Sequence, residues 1–133
     1  MIKTPTYYVF KMYSCHQDNE LLESSIDTEK IGLEDQYMVP NLTESVSKDK
    51  EGKIHITLTN LSTIDSYDIE TNLLGSEVKA VKGEIVAGAI TAHNTFDDPD
   101  VVKEESFDAF RFESDKITFS IPASSVMHIE VSV

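Results

Sequence analysis

Lys53-Ile54-His55-Ile56-Thr57-Leu58-Thr59-Asn60 alternates apolar and polar residues without a break. Successive side chains of a strand point to opposite faces, so Ile54, Ile56 and Leu58 are expected inward and His55, Thr57 and Thr59 outward. The stretch follows Asp49-Lys50-Glu51-Gly52, a Gly-containing hairpin turn that closes a strand expected near Val39 to Val46. Tyr67 to Leu73 alternates in the same way, and Val78 to Ala87 reads as a further strand with Gly83 as a bulge. Phe107, Phe110 and Phe112 fit a strand before the Glu113-Ser114-Asp115 turn. Lys116 to Ile121 alternates up to Pro122, and Ser125 to Val133 ends the chain with Met127, Ile129, Val131 and Val133 on one face. About seven or eight short strands at regular spacing predict a mainly β fold, an antiparallel sandwich of jelly-roll type over residues 37–133.

One helix is expected to precede the sandwich. Thr4 can cap the orphan amides of a first turn, and Pro5 suits the first helical position. From Tyr7 to Cys15 only Lys11 and Ser14 are polar, so the helix is apolar nearly all round and has to be covered on most sides. Tyr8, Phe10, Met12 and Tyr13 are the face expected to need a partner. It can dock on its own sandwich, pair with a second copy, or remain poorly ordered. Residues 18–36 are acidic and irregular and read as a connection, with Leu21, Leu22 and Ile26 as anchors and a strand around 21–26.

Composition excludes several classes of function. The chain has 133 residues, room for one domain with a real core. Eleven basic and 24 acidic residues give a net charge of −13, a field that repels nucleic acid and anionic membranes. The basic residues are scattered and form no patch interleaved with aromatics. Cys15 is the only cysteine, so no internal disulfide can form, and a buried, inert thiol is its plain reading. No apolar run approaches the ~18 residues of a membrane span. No cofactor motif is present, and nothing in the sequence assigns a cellular compartment. Two Asn-x-Ser/Thr sequons, at Asn41 and Asn60, receive no role.

The segment Thr4-Pro5-Thr6-Tyr7-Tyr8-Val9-Phe10-Lys11-Met12-Tyr13, ending in His16-Gln17, is followed by Gly52 to Leu61 and then by Ala92-His93-Asn94-Thr95-Phe96-Asp97-Asp98-Pro99-Asp100. In this order the three resemble the C-terminal portion of a glycoside hydrolase family 51 α-L-arabinofuranosidase. The resemblance runs over essentially the whole chain, and the His-Asn-Thr-Phe-Asp loop is its most specific part. It implies that residues 1–17 correspond to the last helix of a catalytic (β/α)8 barrel that lies upstream. It also implies a parent that removes terminal arabinofuranosyl groups from arabinan or arabinoxylan with retention. Retention needs two carboxyl groups about 5–5.5 Å apart. The family's two catalytic glutamates match no position here, so no catalytic role passes to this chain. The sequence departs from the common pattern at Tyr8, where His is expected, and at Cys15, where an aliphatic residue is usual.

His93, Asn94 and Phe96 are the candidates for a role beyond folding, in a loop expected to lean on the barrel or on a neighbouring subunit. The plain alternative is a self-packed loop with Phe96 anchored in the sandwich edge. His16, His55, His93 and His128 show no metal-site spacing, and His55 and His128 are expected on solvated strand faces. Asp97, Asp98 and Asp100 could offer oxygen to calcium, but no EF-hand register accompanies them, and a solvated acidic loop is the plain reading. Two functions compete: a non-catalytic domain of an arabinofuranosidase, partnered by its barrel and with self-association through the helix as an option, or a stand-alone carbohydrate-binding module. Sugar-binding modules present aromatic platforms. This chain has no Trp, and outside the helix its tyrosines are Tyr37 and Tyr67.

Overall fold

The computed structural model describes residues 1–36 and 38–133. Tyr37, where the sandwich is expected to begin, lies outside the described residues. The chain starts with helix α1 (Pro5–Tyr13), which continues as a 3-10 turn (Ser14–His16). Thr4 caps it as its sequence suggests: the Tyr7 amide donates to Thr4 Oγ1 at 3.3 Å, and Pro5 opens the first turn. Eleven strands follow among the described residues: β1 (Glu20–Leu21), β2 (Lys30–Gly32), β3 (Met38–Pro40), β4 (Leu42–Lys48), β5 (Ile54–Asn60), β6 (Tyr67–Asn72), β7 (Ala80–Ala87), β8 (Glu104–Phe107), β9 (Arg111–Glu113), β10 (Lys116–Ile121) and β11 (Ser125–Ser132).

The strands form a six-stranded sheet, ordered β1-β4-β5-β11-β7-β8, and a three-stranded sheet, ordered β6-β10-β9, with β2 and β3 as a small separate ribbon. Every pairing is antiparallel. Between β5 and β6, β6 and β7, β8 and β9, and β10 and β11 the chain passes from one sheet to the other, which gives the sandwich its jelly-roll character. Ile54, Ile56 and Leu58 of β5 and Met127, Ile129 and Val131 of β11 face Ile117, Phe119 and Ile121 of β10 across one core. Each such side chain contributes about 1.5–3 kcal/mol through the apolar surface it removes from water.

Several sequence expectations change in detail. Residues 18–36 hold two short strands as well as connection, because Leu22 and Ile26 pack on the core and Leu22 donates to the Val46 carbonyl. The strand expected near Val39 to Val46 is two strands, broken at Asn41. The Asn41 amide bonds to Glu29 of the incoming chain, and its carbonyl accepts from Leu61. Gly83 is not a bulge: its register with Ile129 on one side and Phe107 on the other is unbroken. A glycine fits there because a Cβ would stand 2.8 Å from the Phe110 ring and 3.1 Å from the His128 carbonyl oxygen. The three phenylalanines do not share a strand. Phe107 ends β8 in the large sheet, Phe112 sits in β9 in the small one, and Phe110 lies in the connection, packed edge-on against Phe107 and Phe119.

Candidate functional site

The outer face of the six-stranded sheet is ordered by register. Ser47, His55, Glu130 and Lys82 form one cross-strand row, Ser45, Thr57, His128 and Glu84 the next, and Thr43, Thr59, Val126 and Val86 a third. Helix α1 lies across this face. Tyr8 and Met12 bury themselves with Val86 and Val102, and Tyr13 and Val126 pack alongside. Tyr13 Oη meets Thr59 Oγ1 at 3.2 Å, and Lys11 Nζ pairs with Glu104 Oε1 at 3.0 Å. Of the four helix residues expected to need a partner, Tyr8 and Met12 are therefore covered by the chain's own sheet and Tyr13 is half-buried, whereas Phe10 is 75% exposed.

The 3-10 turn then sets down on the polar rows. His16 Nδ1 lies 2.6 Å from Ser47 Oγ and its Nε2 lies 2.9 Å from Thr57 Oγ1, so both ring nitrogens are engaged. This covering overturns the expectation of a solvated His55: His55 and Thr57 are buried, and His128 is half-buried. The alternation in β5 gives the two faces correctly, but both faces are inside the protein.

His55 Nε2 lies 2.9 Å from Asp49 Oδ2 in the hairpin turn, where Gly52 supplies the left-handed backbone at φ 87°. His55 Nδ1 lies 3.1 Å from His128 Nε2, and His128 Nδ1 stands 3.7 Å from Glu84 Oε2. The nearby Cys15 thiol is pushed up to about 11, chiefly by burial. Burial also lowers the pKa of His16 and of His128, and the neighbouring His55 lowers both further. The hydrogen bond from His55 holds Asp49 below its ordinary value. Sequence spacing gave no sign of this grouping, because its members come from the 3-10 turn, β5 and β11.

The loop between β7 and β8 is shaped by Asn94. Its side-chain amide donates to the carbonyls of Lys3 and Val102, each at 2.7 Å, and its Oδ1 accepts from the Val102 amide at 2.7 Å. The loop is thus closed at its neck and tied to the entry of α1. His93 Nδ1 contacts only the nearby Thr91 carbonyl, at 3.0 Å. Phe96 is 88% exposed, so it does not anchor the sandwich edge. Asp97, Asp98 and Asp100 are exposed as well. Beside the loop, an apolar groove of about 360 Å³ runs between Pro5 and Val9 of α1, Gly88 to Ile90, and Leu61. A larger cleft of about 600 Å³ opens between the two sheets, lined by Leu22, Ile26, Leu73 and Phe119 and rimmed by Glu23, Glu44 and Glu70. Among the described residues no helix is long and apolar enough to cross a membrane.

Comparison with known proteins identifies the setting of this surface. Residues 1–125 match the family described as the alpha-L-arabinofuranosidase C-terminal domain. An intracellular exo-alpha-L-arabinofuranosidase of Bacteroides ovatus is 36% identical over 132 residues, which is 98% of this chain and 26% of that protein. The glycoside hydrolase family 51 arabinofuranosidase of Xanthomonas axonopodis pv. citri superposes with a TM-score of 0.91 at 30% identity, covering 99% of this chain and 27% of that one. The thermostable family 51 enzyme of Thermotoga petrophila shares the fold, with a TM-score of 0.85 at 22% identity over 98% of this chain and 29% of its own. The chain spans about a quarter of the length of these relatives.

Proposed function

Because the chain belongs to the alpha-L-arabinofuranosidase C-terminal domain family, we propose that it is the non-catalytic β-sandwich of an enzyme that hydrolyses terminal α-L-arabinofuranosyl groups on arabinose-containing polysaccharides. The observation that carries this reading is coverage: nearly the whole chain matches, and it matches only about a quarter of each relative. A function limited to support fits, because the family's two catalytic glutamates match no position of this chain.

The catalytic portion is contacted through the helix and the β7–β8 loop. Phe10 on α1 and Phe96 on the loop are large apolar side chains held in water, and Asn94 fixes the loop beside the start of that helix. Exposed aromatics are what an interdomain or intersubunit contact consumes. The competing reading as a stand-alone sugar-binding module finds no platform in Tyr67. Tyr67 packs against the core and its hydroxyl accepts from the Asn41 amide.

The test has two parts. The isolated chain is expected to leave a chromogenic α-L-arabinofuranoside untouched, and turnover by it would overturn the reading. In the enzyme with its catalytic portion attached, Phe96→Ala is expected to loosen the assembly, read by light scattering and by the temperature at which activity is lost. Unchanged assembly together with unchanged activity would sink the role given to the loop.

A further inference from the structure

We propose that Cys15, His55 and His128 form a binding site for a single zinc-class divalent ion, which staples the helical segment to the outer face of the six-stranded sheet. Cys15 Sγ and one ring nitrogen from each histidine lie within 4.8 Å of one another. The two nitrogens that face each other, His55 Nδ1 and His128 Nε2, are 3.1 Å apart. Two nitrogens bound to one zinc at about 2.0–2.1 Å stand roughly 2.9–3.4 Å apart for bond angles between right-angled and tetrahedral. The observed spacing falls in that interval before any ion enters.

The far side of the His55 ring strengthens the assignment. Metal-bound histidines commonly donate their second N–H to a carboxylate, which fixes the tautomer and turns the other lone pair toward the metal. Asp49 Oδ2 is 2.9 Å from His55 Nε2, a hydrogen bond, whereas Glu84 Oε2 stands 3.7 Å from His128 Nδ1, beyond hydrogen-bond reach. With its proton held on Nε2 by Asp49, His55 offers a lone pair at Nδ1; without an ion that lone pair accepts from His128 Nε2–H at 3.1 Å, and a bound ion takes the place of that proton. The rings are 17° from parallel with centroids 5.3 Å apart, so they meet edge to edge. An ion sits off the N···N line on the side of Cys15, about 40° from the present direction of each inner lone pair, so both rings turn by that order to bind it. Binding displaces the proton of the Cys15 thiol to solvent, and the resulting thiolate with two imidazoles, the fourth position left to water, is a ligand set that suits zinc and its borderline-soft neighbours. His16 is excluded as a ligand because both its nitrogens are taken by Ser47 and Thr57; it positions the turn that carries Cys15.

The staple joins α1 to β5 and β11, elements that are distant in sequence, so binding the ion stabilises the docked helix. Titration of the purified chain with Co²⁺ is expected to develop thiolate-to-cobalt charge transfer and the intense visible bands of a tetrahedral site, saturating at one equivalent. Zn²⁺ is expected to bleach them and to raise the melting temperature. Cys15→Ala removes the charge-transfer band and the thermal shift. Asp49→Asn, which touches no ligand atom of the ion, weakens Zn²⁺ binding by roughly ten- to a hundredfold. His93→Ala, on the exposed loop, leaves both readouts unchanged. Should Cys15→Ala fold poorly, His128→Gln provides the same comparison, checked by circular dichroism. No saturable cobalt spectrum, or a zinc affinity that Cys15→Ala, His128→Gln and Asp49→Asn leave intact, would overturn the site.

Discussion

Asn94 makes three short hydrogen bonds to backbone that is otherwise without a ladder partner, two within the loop neck and one to the chain entering α1. Replacing it by Ala leaves the Val102 amide and two carbonyls without their partners, so Asn94→Ala is expected to destabilise by ~1–3 kcal/mol. Hydrogen exchange at Val102 should quicken at the same time; protection equal to that of the parent chain would refute the clamp. Asn60 plays a comparable part at the end of β5. It donates to the carbonyls of Asp65 and Pro122 and accepts from the Ser62 amide, and it is buried, as is Asn41. Both sequon asparagines therefore hold corners of the fold, where a glycan has no room. At Gly83 the requirement is steric. Gly83→Ala is expected to cost ~1–3 kcal/mol by overpacking, and shortening Phe110 to Leu in the same chain should recover part of it. Urea denaturation of the single and double variants decides this, and an additive pair would remove Phe110 from the account.

Among the elements, β11 is central, with β5 on one side and β7 on the other. Its inward residues Met127, Ile129 and Val131 are essentially without exposure. Ile129→Ala should cost about 2–5 kcal/mol, measured by the urea midpoint at constant slope; a loss under 1 kcal/mol would mean that the core collapses around the cavity. Helix α1 is held differently, by a small apolar cluster and by polar groups set down on a sheet face. His16→Ala takes partners from the hydroxyls of Ser47 and Thr57, and Thr57 is fully buried. A loss of ~1–3 kcal/mol is expected, with proteolysis starting in residues 1–19. Cleavage confined to the β7–β8 loop would show that the helix docks without His16.

For the whole molecule the dominant field is its own charge of −13. Self-repulsion of that sign weakens the compact state, and salt screens it over a Debye length of about 10 Å at 0.1 M. The melting temperature should therefore rise as sodium chloride is added from low ionic strength. A fall would mean that the Lys53 and Lys82 pairs with Glu130 outweigh the general repulsion. Net repulsion between copies also works against self-association through α1, and under the proposed contact role Phe10 and Phe96 suit a partner surface that is less acidic.

The class of fold, the cap and start of the helix, the hairpin at Asp49 to Gly52, and the core faces of β5, β10 and β11 were legible in the residues alone. These are set by period, by turn chemistry and by backbone preferences within a few residues of each other. The ordered resemblance of the helix, the β5 strand and the His93-to-Pro99 loop carried the family as well. What covers the outer face of the large sheet became visible only with the chain folded. Alternation tells which side chains share a face, but whether that face meets water depends on where a distant helix lands. His55 looked solvated because its strand reads polar there, and it is buried because α1 and its 3-10 turn return across it. The grouping of Cys15, His55 and His128 has the same origin: residues 40 and 73 positions apart become neighbours only when the helix docks and β5 pairs with β11.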